Sequence, residues 1–97
     1  MIEVQQTDEF RTWLRRLKDD NAAARIVARI RRIEQGNLGD TKSVGAGVTE
    51  IRVDYGPGYR IYYVQRGAAI VILLCAGDKR TQRKDIKRAH ELAERQQ

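Results

Sequence analysis

The chain has 97 residues, of which 41% are hydrophobic, and its formal net charge is +6. This length is enough for one domain with a modest core, and the hydrophobic fraction is too high for an intrinsically disordered chain. The excess of 19 Lys and Arg over 13 Asp and Glu favours a polyanionic partner, either nucleic acid or an acidic protein. The alternative is a basic domain whose charge only keeps it dispersed. We predict a single domain over residues 1–97.

The residues that the chain lacks exclude several classes of function. Cys75 is the single cysteine, so no internal disulfide can form, and its apolar neighbours predict a buried structural thiol. His90 is the single histidine, which excludes histidine pairs and a Ser-His-Asp triad, and one Cys with one His cannot build a standard zinc site. We predict neither a metal nor a cofactor.

No targeting or membrane segment is predicted. Residues 1–4 are not the start of a basic region followed by an apolar signal core, and no apolar run approaches the roughly 20 residues that span a bilayer. We therefore expect a cytoplasmic protein without a membrane partner.

The first half of the chain predicts a short strand followed by two helices. Apolar and polar residues alternate over 2–4, and Thr7 is a good N-cap for the first helix. Residues 19–21 break that helix and cap the second, whose apolar stripe covers 23–33. Residues 36–47 hold four glycines and are predicted to be a loop. The two helices are expected to pack as a hairpin.

The second half predicts three strands and a last helix. The strands lie near residues 48–54, 59–66 and 69–76, and the third is apolar on both faces, as in a central strand. The helix begins at about Thr81. Since the connections between these strands are short, the order β-α-α-β-β-β-α predicts an α+β fold. It has an antiparallel four-stranded sheet, a helical hairpin packed on the sheet, and a C-terminal helix.

Two arginines are expected to lie close together on this sheet. The turn formed by Gly56, Pro57 and Gly58 leads into a strand in which Arg60 and Tyr62 share one face. A hairpin with the preceding strand brings Arg52 near Arg60, which favours a site for a phosphate-bearing partner. Alternatively, both arginines form cross-strand ion pairs with carboxylates of the preceding strand, Glu50 and Asp54.

Three segments in this order resemble the RelE/ParE toxin superfamily: EIRV at 50–53, GYRIYY at 58–63 and GDKR at 77–80. The longer run at 77–86 is similar to the HigB-type branch, the addiction-module killer proteins. The resemblance covers essentially the whole chain and implies a compact RelE-like fold and a toxin of a type II toxin–antitoxin pair. RelE-like members cut mRNA in the ribosomal A site without a metal, through attack of a ribose 2′-hydroxyl on the adjacent phosphate.

The resemblance also implies a catalytic set. Arg60 matches the arginine that contacts the scissile phosphate, and Arg52 matches a cationic position on the preceding strand. Arg80, accompanied by Lys79, follows the last strand and is expected near the leaving oxygen or the phosphate. A lysine crowded by other cations can serve as a base, so Lys79 and Lys84 are the candidate proton carriers.

The chain departs from the nuclease pattern at two positions. Glu50 stands where the nuclease has a second lysine, and Ile86 or a neighbour takes the place of a tyrosine that stacks on the substrate base. Candidate RNA-binding residues carry a positive charge, a hydrogen-bonding group or an aromatic ring, and they are Lys42, Tyr62, Gln82, Arg83 and Lys84. Their plainer roles are surface charge for Lys42, sheet packing for Tyr62 and bracing of the last helix for Gln82.

We therefore predict a ribosome-dependent, metal-independent mRNA endonuclease that inhibits translation and arrests growth. The expected partners are mRNA in the ribosomal A site and a cognate antitoxin, a helix-turn-helix protein of the HigA type. Operator DNA is expected to be reached only through that antitoxin. Two alternatives are a ParE-like, non-enzymatic inhibitor of DNA gyrase and an inactive toxin that acts only as an antitoxin-bound corepressor.

Overall fold

The chain is seen here in a computed structural model that describes residues 1–96, and Gln97, the end of the predicted domain, lies outside the described residues. The helices are α1 (Asp8–Arg16), α2 (Asp20–Glu34) and α3 (Gln82–Glu94). The strands are β1 (Glu3–Gln6), β2 (Thr41–Ser43), β3 (Thr49–Val53), β4 (Tyr59–Arg66) and β5 (Ile70–Asp78). A short 3₁₀ turn, Lys79–Thr81, joins β5 to α3. Within residues 1–96, none of the helices has the length and apolar character needed to cross a bilayer.

Side-chain caps start the first two helices where the sequence predicted them. Thr7 Oγ1 accepts a hydrogen bond from Phe10 N at 3.1 Å and donates one to the carbonyl of Leu74 at 2.6 Å. The cap therefore also fixes α1 to the central strand. Asp19 Oδ1 accepts from the first free backbone amides of α2, at 2.9 and 3.1 Å. These contacts satisfy amide groups that have no partner inside a helix.

The sheet has five strands in the order β1-β5-β4-β3-β2, which corrects the prediction of an antiparallel four-stranded sheet. Strands β2 to β5 are antiparallel, but β1 pairs with β5 in parallel. The prediction rested on short connections, which govern only strands that follow one another along the chain. β1 is separated from β5 by most of the sequence, so its direction is set by how α1 and α2 pack.

The additional strand, β2, lies inside the segment that was predicted to be a loop. Lys42 pairs with Glu50 of β3, and Thr41 and Ser43 pair with the residues on either side of Glu50. The segment is glycine-rich and short, so its pattern carries no strand signal of its own. Pairing with β3 supplies the backbone hydrogen bonds that stabilise it as an edge strand.

The two faces of the sheet bury two separate cores. Tyr59, Ile61 and Tyr63 of β4 pack with α1 and α2, whereas Tyr62 packs on the other face, against α3. This alternation confirms the prediction for β4. The register of β4 against β5 shifts between Tyr62 and Tyr63, which places an extra residue in β5 at a β-bulge. β5 is buried on both faces over most of its length, as predicted.

Candidate functional site

Arg52 and Arg60 lie directly opposite each other on adjacent strands. They are register partners in the antiparallel pairing of β3 with β4, and opposite residues project to the same face of a sheet. Both arginines line a cavity of about 320 Å³ beside the β3–β4 turn, together with Asp40, Asp54 and Gly58 among others. The predicted closeness of the two arginines is confirmed. We call this space the Arg52–Arg60 cavity.

A buried carboxylate lies between the two guanidinium groups. Glu50 is fully buried, and its Oε1 lies 3.6 Å from Arg52 Nε and 3.7 Å from Arg60 Nε. Its Oε2 accepts hydrogen bonds from the Tyr62 hydroxyl at 3.0 Å and from Gln82 Nε2 at 2.9 Å. We call these five residues the Glu50 cluster. It joins β3, β4 and the first turn of α3 through one anion.

The Glu50 cluster leaves the two arginines with different freedom. The side chain of Arg60 is only 12% exposed, whereas that of Arg52 is 44% exposed. Arg60 Nη1 also donates to the carbonyl of Gly58 at 2.9 Å. The expected ion pairing with Glu50 therefore exists, yet both arginines still face the open cavity. The contacts to Glu50 involve the Nε atoms, at distances too long for hydrogen bonds. The pairing therefore orients the arginines and does not occupy their terminal Nη donors.

The turn before β4 also brings Lys79 close to Arg60. Gly58 adopts a φ of +81°, which L residues with side chains rarely adopt. A Cβ at Gly58 would lie 3.4 Å from Arg60 Nη1 and 4.0 Å from Lys79 Cβ. Arg60 and Lys79 thus flank the same glycine, and the side chain of Lys79 is exposed. The positive φ favours glycine at position 58, whereas a Cβ there would make only ordinary van der Waals contacts with Arg60 and Lys79.

Arg80 points to a different part of the surface. Its Nη2 lies 2.9 Å from Asp78 Oδ2, and its backbone amide donates to Asp78 Oδ1 at 2.8 Å. These hydrogen bonds lower the pKa of Asp78 and raise that of Arg80. Arg80, Trp13 and Lys18 line a cavity of about 480 Å³. This cavity adjoins the Arg52–Arg60 cavity, because Tyr59 lines both. The structure therefore separates Arg80 from the arginine pair with which the sequence grouped it.

The predicted RNA-binding residues occupy three environments. Lys42 is exposed on β2 and shares a face with its register partner Glu50. Arg83 and Lys84 are exposed in the first turn of α3. Tyr62 and Gln82 instead donate to Glu50.

The aromatic ring of Tyr62 is fully buried, so its surface is covered by protein and a base cannot stack on it. Burial, followed by the negative charge of Glu50, raises the pKa of Tyr62 and keeps its hydroxyl a donor. Gln82 is half-buried, and its hydrogen bond to Glu50 braces the start of α3, which is the plainer of the two roles considered for it.

A second carboxylate packs tightly at the start of α3. Asp85 Oδ2 accepts a hydrogen bond from the Thr81 hydroxyl, and the same carboxylate covers Gly77 so closely that any Cβ there would collide with it. Burial raises the pKa of Asp85. The sequence suggested only a bracing role for Asp85, and it suggested ion pairing for Glu50 but not its burial or its contacts with Tyr62 and Gln82. Alternation along β3 places Glu50 on the same face as Arg52 and opposite Ile51 and Val53, so the sequence carried no signal for its burial.

The single cysteine and the single histidine both serve the packing of α3. Cys75 is buried, and burial, with a smaller contribution from Asp85, raises the pKa of its thiol to about 12. This confirms the predicted structural thiol. His90 Nε2 lies 2.9 Å from the carbonyl of Val44. The histidine thus ties α3 to the turn that follows β2, away from the Arg52–Arg60 cavity.

Comparison with known proteins gives two matches. The family described as "Phage derived protein Gp49-like (DUF891)" matches residues 12–97. A protein of Haemophilus influenzae is 50% identical over 93 residues, which cover 96% of this chain and 94% of the relative. That relative is named only as an uncharacterized protein. The family match includes all five members of the Glu50 cluster and both predicted lysines that follow β5.

Proposed function

We propose that this chain, which belongs to the phage-derived Gp49-like family, is a HigB-type toxin that cleaves mRNA on the ribosome. The family is toxin-like, of the RelE/HigB type, and is associated with toxin–antitoxin systems. The observation that supports this most is the pair Arg52 and Arg60, which face one open cavity and are oriented by buried Glu50. Fixed guanidinium groups suit a reaction in which negative charge develops on phosphate oxygens.

In the proposed reaction a ribose 2′-hydroxyl attacks the neighbouring phosphorus. The 2′-oxygen–phosphorus bond forms, the phosphorus–5′-oxygen bond breaks, and the products are a 2′,3′-cyclic phosphate and a 5′-hydroxyl. Arg60 and Arg52 stabilise the developing charge on the non-bridging oxygens. A base removes the 2′-proton and an acid protonates the leaving 5′-oxygen, and Lys79, which lies beside Gly58 with Arg60, is the nearest candidate for one of these steps.

The remaining predicted residues act at the edge of the proposed site. Arg80 is 81% exposed and paired with Asp78, so its contribution to charge stabilisation requires that it leave that pair when RNA binds. Lys42, Arg83 and Lys84 are exposed cations and supply contacts to the RNA backbone.

The proposed partners follow from the toxin assignment. The family suggests an antitoxin partner, which we propose to be a helix-turn-helix protein of the HigA type that brings the toxin to operator DNA. The proposed target is mRNA in the ribosomal A site, so the toxin would act in the cytoplasm.

Induction of the chain and of its Arg60→Ala variant, followed by primer extension on abundant mRNAs, tests the proposal. We expect growth arrest and discrete cuts in codons with the wild-type chain. Removal of one charge-stabilising donor typically lowers the rate about 10²–10³-fold, so Arg60→Ala should abolish arrest. The variant should be less stable, because buried Glu50 loses one cation, but Tyr62 and Gln82 still donate to Glu50 and circular dichroism should show a folded chain. Arg80→Ala should retain more activity than Arg60→Ala.

Each other outcome assigns the chain to a different class. DNA damage with intact mRNA would support a gyrase inhibitor, and the absence of any growth phenotype would support an inactive corepressor. A fully toxic Arg60→Ala variant would show that the reaction does not depend on the Arg52–Arg60 cavity.

A further inference from the structure

A second cluster of arginines lines a cavity on the other side of the β3–β4 turn. Arg25, Arg29 and Arg32 recur in α2 at intervals of four and three residues, so they share one helix face. Together with Ala28 and with the end of β3 they line a cavity of about 220 Å³. We call this cavity the α2 cleft.

Two arginines of the α2 cleft, Arg29 and Arg25, are held in place by neutral groups. Arg29 Nη1 donates to the carbonyl of Arg52 at 3.0 Å, and Arg29 Nη2 donates to the carbonyl of Leu38 at 3.4 Å. The guanidinium of Arg25 lies 4.6 Å from the ring centroid of Tyr55, in a cation–π contact. Carbonyls and an aromatic ring orient these cations but do not neutralise them.

Their positive charge is only partly compensated, by Asp54, which lines the cleft, and by Asp40, whose charge acts on Arg29 from a greater distance. Over residues 1–96, no Asp or Glu oxygen lies within 4.0 Å of a guanidinium nitrogen of Arg25, Arg29 or Arg32. Burial, followed by the nearby charge of Arg32, lowers the pKa of Arg29. A bound anion would relieve this crowding of like charges, whereas an ordinary solvated arginine face shows no such crowding.

The α2 cleft adjoins the Arg52–Arg60 cavity. Val53 and Asp54 line both cavities, and the Arg29–Arg52 hydrogen bond connects them through the backbone. We propose that the α2 cleft is a second phosphate subsite, which binds the backbone of the same RNA strand a short distance from the linkage held by Arg52 and Arg60. This inference rests on the proposed function, because it takes RNA to be the ligand of the first cavity.

Asp54 gives the proposal a distinguishing feature. A strand that passes from one cavity to the other must cross this exposed carboxylate, which repels phosphate. Neutralising Asp54 should therefore strengthen RNA binding. Because Asp54 lines the first cavity as well, the gain should be larger for an RNA that reaches both cavities than for one that fills only the first.

The test measures binding of 2′-O-methyl RNA, which cannot be cleaved because it lacks the attacking hydroxyl. Fluorescence anisotropy would compare a labelled oligonucleotide of about six nucleotides, long enough to occupy a single-strand binding groove, with a dinucleotide that fills one cavity. The variant is Arg25→Gln with Arg32→Gln, which leaves Arg29 and its hydrogen bonds in place. The matched control, Arg15→Gln with Arg31→Gln, removes two exposed arginines outside the cleft and changes the net charge equally.

We expect the cleft variant to weaken binding of the longer oligonucleotide about tenfold and to reduce the salt slope by about 1.4, that is about 0.7 for each lost phosphate contact. Binding of the dinucleotide should change less than about twofold, as should binding of either RNA by the control variant. Asp54→Asn should tighten binding of the longer RNA a few-fold.

Equal losses in the cleft variant and the control would overturn the proposal, since general charge attraction would then explain both. So would unchanged RNA binding accompanied by weaker binding of an acidic protein partner, or failure of the wild-type chain to bind the RNA at all. If the wild-type chain binds the RNA with the expected pattern but cuts no mRNA on induction, the subsite stands and the nuclease proposal fails.

Discussion

The Glu50 cluster and the Asp78–Arg80 pair both join a carboxylate of low exposure to arginine, but Arg60 is nearly buried whereas Arg80 is exposed. Glu50 is fully buried and contacts groups from three elements, whereas Arg80 is 81% exposed and contacts a carboxylate two residues away. A buried charge must keep its partners, because water cannot replace them, while an exposed guanidinium such as that of Arg80 exchanges its partner for solvent at less cost. The first arrangement fixes the geometry of Arg60, and the second leaves Arg80 free to move.

The largest expected effect is on stability, at the centre of the buried cluster. Glu50→Ala removes the anion and leaves nearly buried Arg60 without a counter-charge, so the free energy of unfolding should fall by about 3–5 kcal/mol. Asp78→Ala, the comparison variant, removes a turn cap and an ion pair whose guanidinium is exposed, and should lower it by about 1 kcal/mol. Urea denaturation measures both, and similar losses in the two variants would contradict the contrast between the two regions.

A smaller effect is expected from the pH dependence of two aspartates. Arg80 lowers the pKa of Asp78, so Asp78 stabilises the fold above its unfolded pKa, near about 3.9. That contribution is lost as the pH falls through the lower folded value. Burial raises the pKa of Asp85, so its ionisation destabilises the fold as the pH rises above about 3.9, through the higher folded value.

Asn substitutions test these opposite signs. Asp78→Asn should lower stability at about pH 7 and have little effect below about pH 3. Asp85→Asn should raise stability at about pH 7 relative to its effect at low pH, because it removes the ionisation of a buried carboxyl. Urea unfolding at both pH values gives the answer. Shifts of the same sign in the two variants would be inconsistent with the environments that the structure assigns to these aspartates.

The smallest effect is expected at Cys75, which faces Tyr62 across the β4–β5 pairing, in the core beneath α3. Its pKa of about 12 keeps the thiol protonated at about pH 8, and its burial blocks access. Labelling with a disulfide reagent should therefore be negligible in the native protein and complete in urea. Rapid labelling of the native chain would show that α3 opens, and that the face carrying the Glu50 cluster is less rigid than the burial of Glu50 indicates.

Much of the fold could be predicted from local sequence patterns. The caps at Thr7 and Asp19 and the alternation in β4 each depend on residues within a few positions of one another. The parallel pairing of β1 and the existence of β2 could not be predicted in this way. Both depend on partners far away in the chain or on a segment whose glycines signal a turn, so no local pattern records them.

The candidate site divides in the same manner. Alternation along two neighbouring strands predicted that Arg52 and Arg60 would meet, and the register confirms it. The direction in which the Arg80 side chain points depends on its hydrogen bonds with Asp78. The burial of the Tyr62 ring depends on the packing of α3. These features are set by competition among neighbours in space.

The sequence by itself determined the α+β class, the basic character of the chain and the presence of an arginine on each of two neighbouring strands, because each follows from composition or from short-range periodicity. The tertiary structure alone decided that Glu50 is a buried anion shared by β3, β4 and α3, and that Arg80 lines a separate cavity. It also decided that three arginines of α2 converge without a direct ion pair to any carboxylate of residues 1–96. The reason is that the electrostatic role of a charged side chain depends on its solvent exposure and on its neighbours, and distant segments of the chain supply both.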